Sequence, residues 1–124
     1  MPHPAELRLV DGNTRNQGRL EVFLNDEWGT VCDDSWDLED ALVACRQLGF
    51  PEATEATSGG SFGNGTGPIL LDDVMCTGLE NNLESCQHAG IGAHNCTHSN
   101  DAGIVCLSSG KNMFVIVSVK ICLP

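Results

Sequence analysis

The chain has 124 residues, and 17 acidic side chains against six basic ones leave a formal charge of −11. That length suits one domain. Its longest apolar run, Met113 to Val119, falls well short of the ~20 residues a membrane-spanning helix needs, so no membrane insertion by this chain is expected. A hydrophobic content of 41 % with scattered acids excludes a disordered chain, and a pI near 4.4 argues against direct nucleic-acid specificity. The charge favours partners that are cationic, or that arrive through a bound cation.

In chain order, residues 1–6 read as an N-terminal tail with two prolines. Leu7-Arg8-Leu9-Val10 has strand character and stops at Asp11-Gly12-Asn13, a turn composition. Leu20, Val22 and Leu24 alternate with Arg19, Glu21 and Phe23, the period of a strand with one face on a core. Asn25-Asp26-Glu27 supplies a turn and Trp28 to Cys32 returns, which predicts a hairpin. From Asp37 to Leu48 the period changes. Leu38, Ala41, Leu42, Cys45 and Leu48 fall on one helical stripe, with Asp37 as N-cap, Glu39 and Asp40 in the first turn, and Gly49 and Pro51 past the end. Ser58 to Gly67 is Gly-rich, but Pro68 and the strand-like Ile69-Leu70-Leu71 follow it instead of a Gly-Lys-Ser/Thr helix opening. It therefore reads as a plain surface loop. Glu80 to Cys86 suggests a short helical turn, and Ala102 to Cys106 a closing strand.

Seven cysteines stand at 32, 45, 76, 86, 96, 106 and 122, with no Cys-x-x-Cys pair. Structural zinc of the finger type has little support, and the even spread reads as a disulfide framework in an oxidising compartment. Asn64-Gly65-Thr66 and Asn95-Cys96-Thr97 are sequons that would accept glycans there. Met1-Pro2-His3-Pro4 lacks the basic start and apolar stretch of a signal peptide, so the expectation is a mature fragment or an excised domain.

Gly18-Arg19-Leu20-Glu21-Val22, Trp28-Gly29-Thr30-Val31-Cys32-Asp33-Asp34, Ala44-Cys45-Arg46-Gln47-Leu48-Gly49, Gly67-Pro68-Ile69, Cys76-Thr77-Gly78 and Asp101-Ala102-Gly103-Ile104-Val105-Cys106 occur together. In this order and spacing they resemble a scavenger receptor cysteine-rich domain of the six-cysteine group A type, from Leu7 to Cys106. The resemblance implies an α+β fold: a small disulfide-bonded domain with a curved antiparallel sheet cradling one main helix. It also implies the pairs Cys32–Cys96, Cys45–Cys106 and Cys76–Cys86. The domain is then 7–106, followed by a C-terminal tail, 107–124, of unknown role. Cys122 is left unpaired there, open to a disulfide dimer.

Adjacent loop carboxylates suit Ca²⁺, which prefers several oxygen ligands. The resemblance implies a first cation site at Asp33, Asp34 and Asn100, the last standing where the family has Glu, and a second at Asp72, Asp73 and Asn95. A glycan on Asn95 would compete with ligation. Arg8, Arg15 and Arg19 are half of the basic residues and could form a ligand-binding patch, though such arginines more often pair with neighbours such as Glu6 and Glu21. His88, His94 and His98 invite a transition-metal reading, but Asn95-Cys96-Thr97 is poor helix material for His94-x-x-x-His98. No Gly-x-Ser-x-Gly motif or placed nucleophile occurs, so the sequence gives no reason to expect an enzyme. The expectation is an extracellular binding module, secreted or in a receptor ectodomain, taking polyanionic or microbial surface ligands or host glycoproteins through Ca²⁺. The alternatives are a positioning module of an extracellular serine protease or amine oxidase, and a structural or multimerising domain.

Overall fold

The computed structural model describes residues 6–108. The expectations for Cys122 and for residues 109–124 lie outside them. In order come β1 (Glu6–Val10), β2 (Gln17–Leu24), β3 (Glu27–Val31), α1 (Leu38–Gln47), β4 (Glu52–Thr57), β5 (Ile69–Leu71) and β6 (Gly103–Leu107). Two 3₁₀ turns, Leu83–Ser85 and His98–Asn100, stand between β5 and β6. The strands form a single sheet in the order β4-β6-β2-β3-β5, with β1 also on β2. Every pairing is antiparallel except β3 with β5. This is the antiparallel-rich, one-helix α+β fold the resemblance implies.

The β2–β3 hairpin turns at Asn25 and Asp26, whose φ values of 52° and 67° match the left-handed pair a tight two-residue turn requires. Leu20, Val22 and Val31 face the core and are fully buried, together with Leu71, Val74, Leu83 and Ile104. Helix α1 closes over this layer and packs on β4 and β6. Asp37 caps it as expected: its Oδ1 accepts the Asp40 N–H at 3.1 Å, while the Asp40 carboxylate accepts the Asp37 N–H at 2.8 Å.

The structure departs from or adds to the sequence reading at three places. The buried side of α1 is Asp40, Ala41, Val43, Ala44 and Cys45, while Leu38 stays 49 % exposed. Ala41, Cys45 and Leu48 of the expected stripe keep their contact with the core, and the buried face widens to Val43, Ala44 and Asp40, which accepts the Cys76 N–H. Second, β4 forms from Glu-Ala-Thr-Glu-Ala-Thr, a run with weak strand propensity, because β6 offers it an antiparallel edge. Third, β2 is buried on both faces. The Gly-rich loop lies over Arg19, and Glu21 is covered by Arg8 and Arg19; Arg19 and Glu21 are each only 6 % exposed.

The structure pairs Cys32 with Cys96, Cys45 with Cys106 and Cys76 with Cys86, the same pairs the resemblance implies.

Candidate cation site

Three parts of the chain converge at one end of the sheet. Strand β3 runs into Cys32-Asp33-Asp34, and its parallel neighbour β5 runs into Asp72-Asp73. The backbone joins them where the Cys32 N–H donates to the Leu71 carbonyl at 2.8 Å. The Cys32–Cys96 bridge then draws in the coil segment that carries Asn95. Asp34 Oδ2 lies 3.6 Å from Cys96 Sγ, and Asn95 Oδ1 lies 3.7 Å from the same sulfur. These are contacts and not hydrogen bonds, since a bridged sulfur carries no proton.

The carboxylates of Asp34 and Asp72 and the sulfurs of Cys32 and Cys96 all lie within 4.8 Å of one another. Asp72 is 2 % exposed, and its Oδ1 accepts the N–H of Asp73 at 2.7 Å. Desolvation first, then the charges of Asp72, Asp73 and Asp33, hold the Asp34 carboxyl above its ordinary value, and a hydrogen bond with Asp72 adds to this. Crowded carboxylates of this kind are relieved by a proton or by a cation.

The sequence groups Asp34 with Asp33 and Asn100, whereas the structure turns it toward Asp72. Asp33 is used in the backbone frame. Its Oδ2 accepts the Gly59 N–H at 2.6 Å, and its own N–H donates to the Asn100 carbonyl at 2.8 Å. Asn100 Oδ1 accepts the Thr97 N–H at 3.2 Å and so caps the 3₁₀ turn. The set brought together is thus Asp34 and Asp72, with Asp73 and Asn95 alongside. The available signal was the implied Cys32–Cys96 pair, which forces Asn95 beside Asp34.

The remaining candidates have local partners. Arg19 is withdrawn from the ligand-binding set: its guanidinium meets Asp11 at 2.9 Å and Glu21 at 3.1 Å, and donates to the Gly63 carbonyl at 3.3 Å. Arg8 pairs with Glu21 at 2.7 Å and lies 4.1 Å from the centre of the Trp28 ring, but its side chain stays 47 % exposed. Arg15 is exposed. The histidines are dispersed. His88 Nδ1 accepts the Gly90 N–H, His94 Nδ1 accepts the Cys96 N–H, and His98 bridges Asp101 and the Gly67 carbonyl. Among the described residues no histidine joins a metal-holding cluster. Glu80, near Cys76 and Cys86, turns its carboxylate onto the Thr77 and Gly78 N–H groups, which hold it below its ordinary range. Both sequon asparagines, Asn64 and Asn95, are exposed.

A model of the scavenger receptor cysteine-rich domain matches residues 10–107, so the chain belongs to that family of extracellular modules. It is 48 % identical over 112 residues to galectin-3-binding protein of Bos taurus, covering 90 % of this chain and 20 % of that protein. It is 56 % identical over 100 residues to a scavenger receptor cysteine-rich domain superfamily protein of Patiria pectinifera, covering 81 % of this chain and 9 % of the relative. The chain therefore spans a fifth or less of these relatives' length. Among solved structures, the third such domain of murine neurotrypsin superposes with a TM-score of 0.77 at 50 % identity, over 82 % of this chain and 95 % of that one. The dimeric form of the domain of mouse MARCO superposes at 0.70, also 50 % identical, over 74 % of this chain and 87 % of the other. The first of these relatives is named for binding galectin-3.

Proposed function

We propose that the domain is a ligand-binding module that recognises polyanions through a Ca²⁺ ion held chiefly by Asp34 and Asp72, with Asp73 and Asn95 alongside. The observation behind this reading is the Asp72 carboxylate, 98 % buried yet set against a second carboxylate. The residues fit the ion. Ca²⁺ takes roughly 6–8 oxygens, and a cluster of carboxylates and one amide supplies part of that shell, leaving positions for water and ligand. A bound ion would also invert the local charge. On a domain of −11, an acidic end of the sheet would become the place where sulfate, phosphate or carboxylate groups complete the shell. The exposed Arg8 and Arg15 would add cationic character elsewhere on the surface. Asn64 is available for a glycan, whereas Asn95 would serve either as glycan acceptor or as oxygen donor.

Calorimetric titration with Ca²⁺ tests the site. Asp34→Asn and Asp72→Asn are each expected to weaken binding by about tenfold or more, and Asp33→Asn to change it little. Equal affinity in all four proteins would overturn the assignment. Binding to immobilised dextran sulfate should disappear in a chelator, and retention there would remove Ca²⁺ from the recognition step.

A further inference from the structure

The three bridges differ in placement. Cys45, Cys76, Cys86 and Cys106 belong to the hydrophobic core cluster, and none is more than 9 % exposed. Cys32 is also fully buried though outside that cluster, and its partner Cys96, half-buried, is the one bridged cysteine that reaches the surface. The segment carrying Cys96, residues 89–97, holds no helix or strand. It is tied to the sheet end by the Ala89 N–H on the Asp72 carbonyl, at 3.0 Å, and the Gly92 N–H on the Leu70 carbonyl, at 2.9 Å. Opening this bridge would release a surface coil and leave the core bridged twice.

We propose that the Cys32–Cys96 bridge is a redox gate on the acidic cluster: an external dithiol opens it before the others, and the two freed thiolates join Asp34 and Asp72 in a four-ligand site for Zn²⁺. One thiolate of the reagent attacks Cys96 Sγ, and Cys32 leaves as thiolate. The reagent's second thiol then displaces Cys96 and closes the reagent into its own disulfide, so two electrons pass to the protein. Zn²⁺ displaces the thiol protons and takes four ligands tetrahedrally from thiolate and carboxylate. The four donor atoms are already within 4.8 Å of one another, and the Cα atoms of the pair are 6.3 Å apart. Oxidised, the cluster offers only hard oxygens. Reduced, it gains two soft sulfurs, which favour zinc over calcium. The proposal shares two carboxylates with the calcium reading but does not depend on calcium binding.

The test uses the full chain with pre-existing free thiols blocked. Under native conditions, dithiothreitol is added in graded amounts, new thiols are alkylated, and their positions are mapped by mass spectrometry. Cys32 and Cys96 are expected to label first, with the far-UV circular dichroism unchanged. After anaerobic removal of the reagent, Co²⁺ should give a thiolate charge-transfer band that Zn²⁺ abolishes and that the oxidised protein lacks. Asp72→Asn should open in the same order yet bind Zn²⁺ about tenfold more weakly. Labelling that begins at another bridge overturns the gate, and an opened protein without the band overturns the zinc site. Loss of calcium binding by the oxidised protein with the band intact would sink the calcium reading alone.

Discussion

Asp40 shows how one side chain can join an element to a loop and make stability depend on pH. Its Oδ1 accepts the Cys76 N–H at 2.7 Å and its Oδ2 the Asp37 N–H, so it fastens the first turn of α1 to the Cys76–Cys86 loop from a fully buried position. Burial pushes its carboxyl up to about 7; the two backbone donors pull it back, and the adjacent Asp37 carboxylate pushes further in the direction of burial. Its value in the unfolded chain is the ordinary 3.8, so between these limits the folded state binds the extra proton. Stability from this group therefore declines as pH rises from about 4 to about 7 and is level above that. Urea unfolding is expected to show the wild type about 1–3 kcal/mol more stable at pH 5 than at pH 8 relative to Asp40→Asn, which lacks the titration. Parallel pH profiles for the two proteins would refute the account. At the cation site the sign of the pH effect on binding is opposite. The Asp34 carboxyl is also raised, so protons compete with the ion, and Ca²⁺ affinity should fall as the solution is acidified.

At the scale of the element, the Gly-rich stretch is a fixed cover over the outer face of β2. Asp33 holds the Gly59 N–H, Arg19 reaches the Phe62 and Gly63 carbonyls, Asp101 Oδ2 takes the Gly65 N–H at 2.7 Å, and His98 Nε2 meets the Gly67 carbonyl at 2.9 Å. Gly65 has no room for a side chain. A Cβ there would sit 2.7 Å from Thr30 Cγ2 and 3.0 Å from Arg19 Nε. Gly65→Ala should cost about 1–3 kcal/mol in chemical denaturation. Arg19→Ala should cost about 3–5 kcal/mol, because it leaves the buried Glu21 carboxylate with fewer partners. Hydrogen exchange in residues 59–67 is expected to speed up in Arg19→Ala, and unchanged protection would mean the clamp lies elsewhere. The alternation of Leu20, Val22 and Leu24 made the inward face of β2 legible from sequence, and Asp37 with Gly49 made the helix ends legible. On the outward face only the pairing of arginines with Glu21 was legible; the cover was not, because the Phe62 and Gly63 carbonyls that meet Arg19 lie more than 40 residues away in the chain. For the same reason Asp34 was legible as a carboxylate donor but not as the neighbour of Asp72.

For the whole molecule, the bridges separate chain entropy from packing. Cys32–Cys96 and Cys45–Cys106 span 64 and 61 residues, and Cys76–Cys86 spans ten. Loop-closure entropy alone assigns about 4 kcal/mol to each long bridge and about 3 kcal/mol to the short one. Against a typical total of about 5–15 kcal/mol, loss of all three should unfold the domain, and loss of one long bridge should leave it folded. The two long bridges differ in the native state. Cys45 and Cys106 are packed in the core between α1 and β6, so replacing both with alanine also leaves unfilled volume. Cys32 is fully buried as well, but Cys96 is only half-buried, so removing that bridge leaves less such volume. In denaturant titrations, Cys45→Ala/Cys106→Ala is therefore expected to lose about 1–2 kcal/mol more than Cys32→Ala/Cys96→Ala. Equal losses would reduce the bridges to chain entropy alone. A larger loss at Cys32–Cys96 would mean that this bridge holds more of the fold than the partial burial of Cys96 implies.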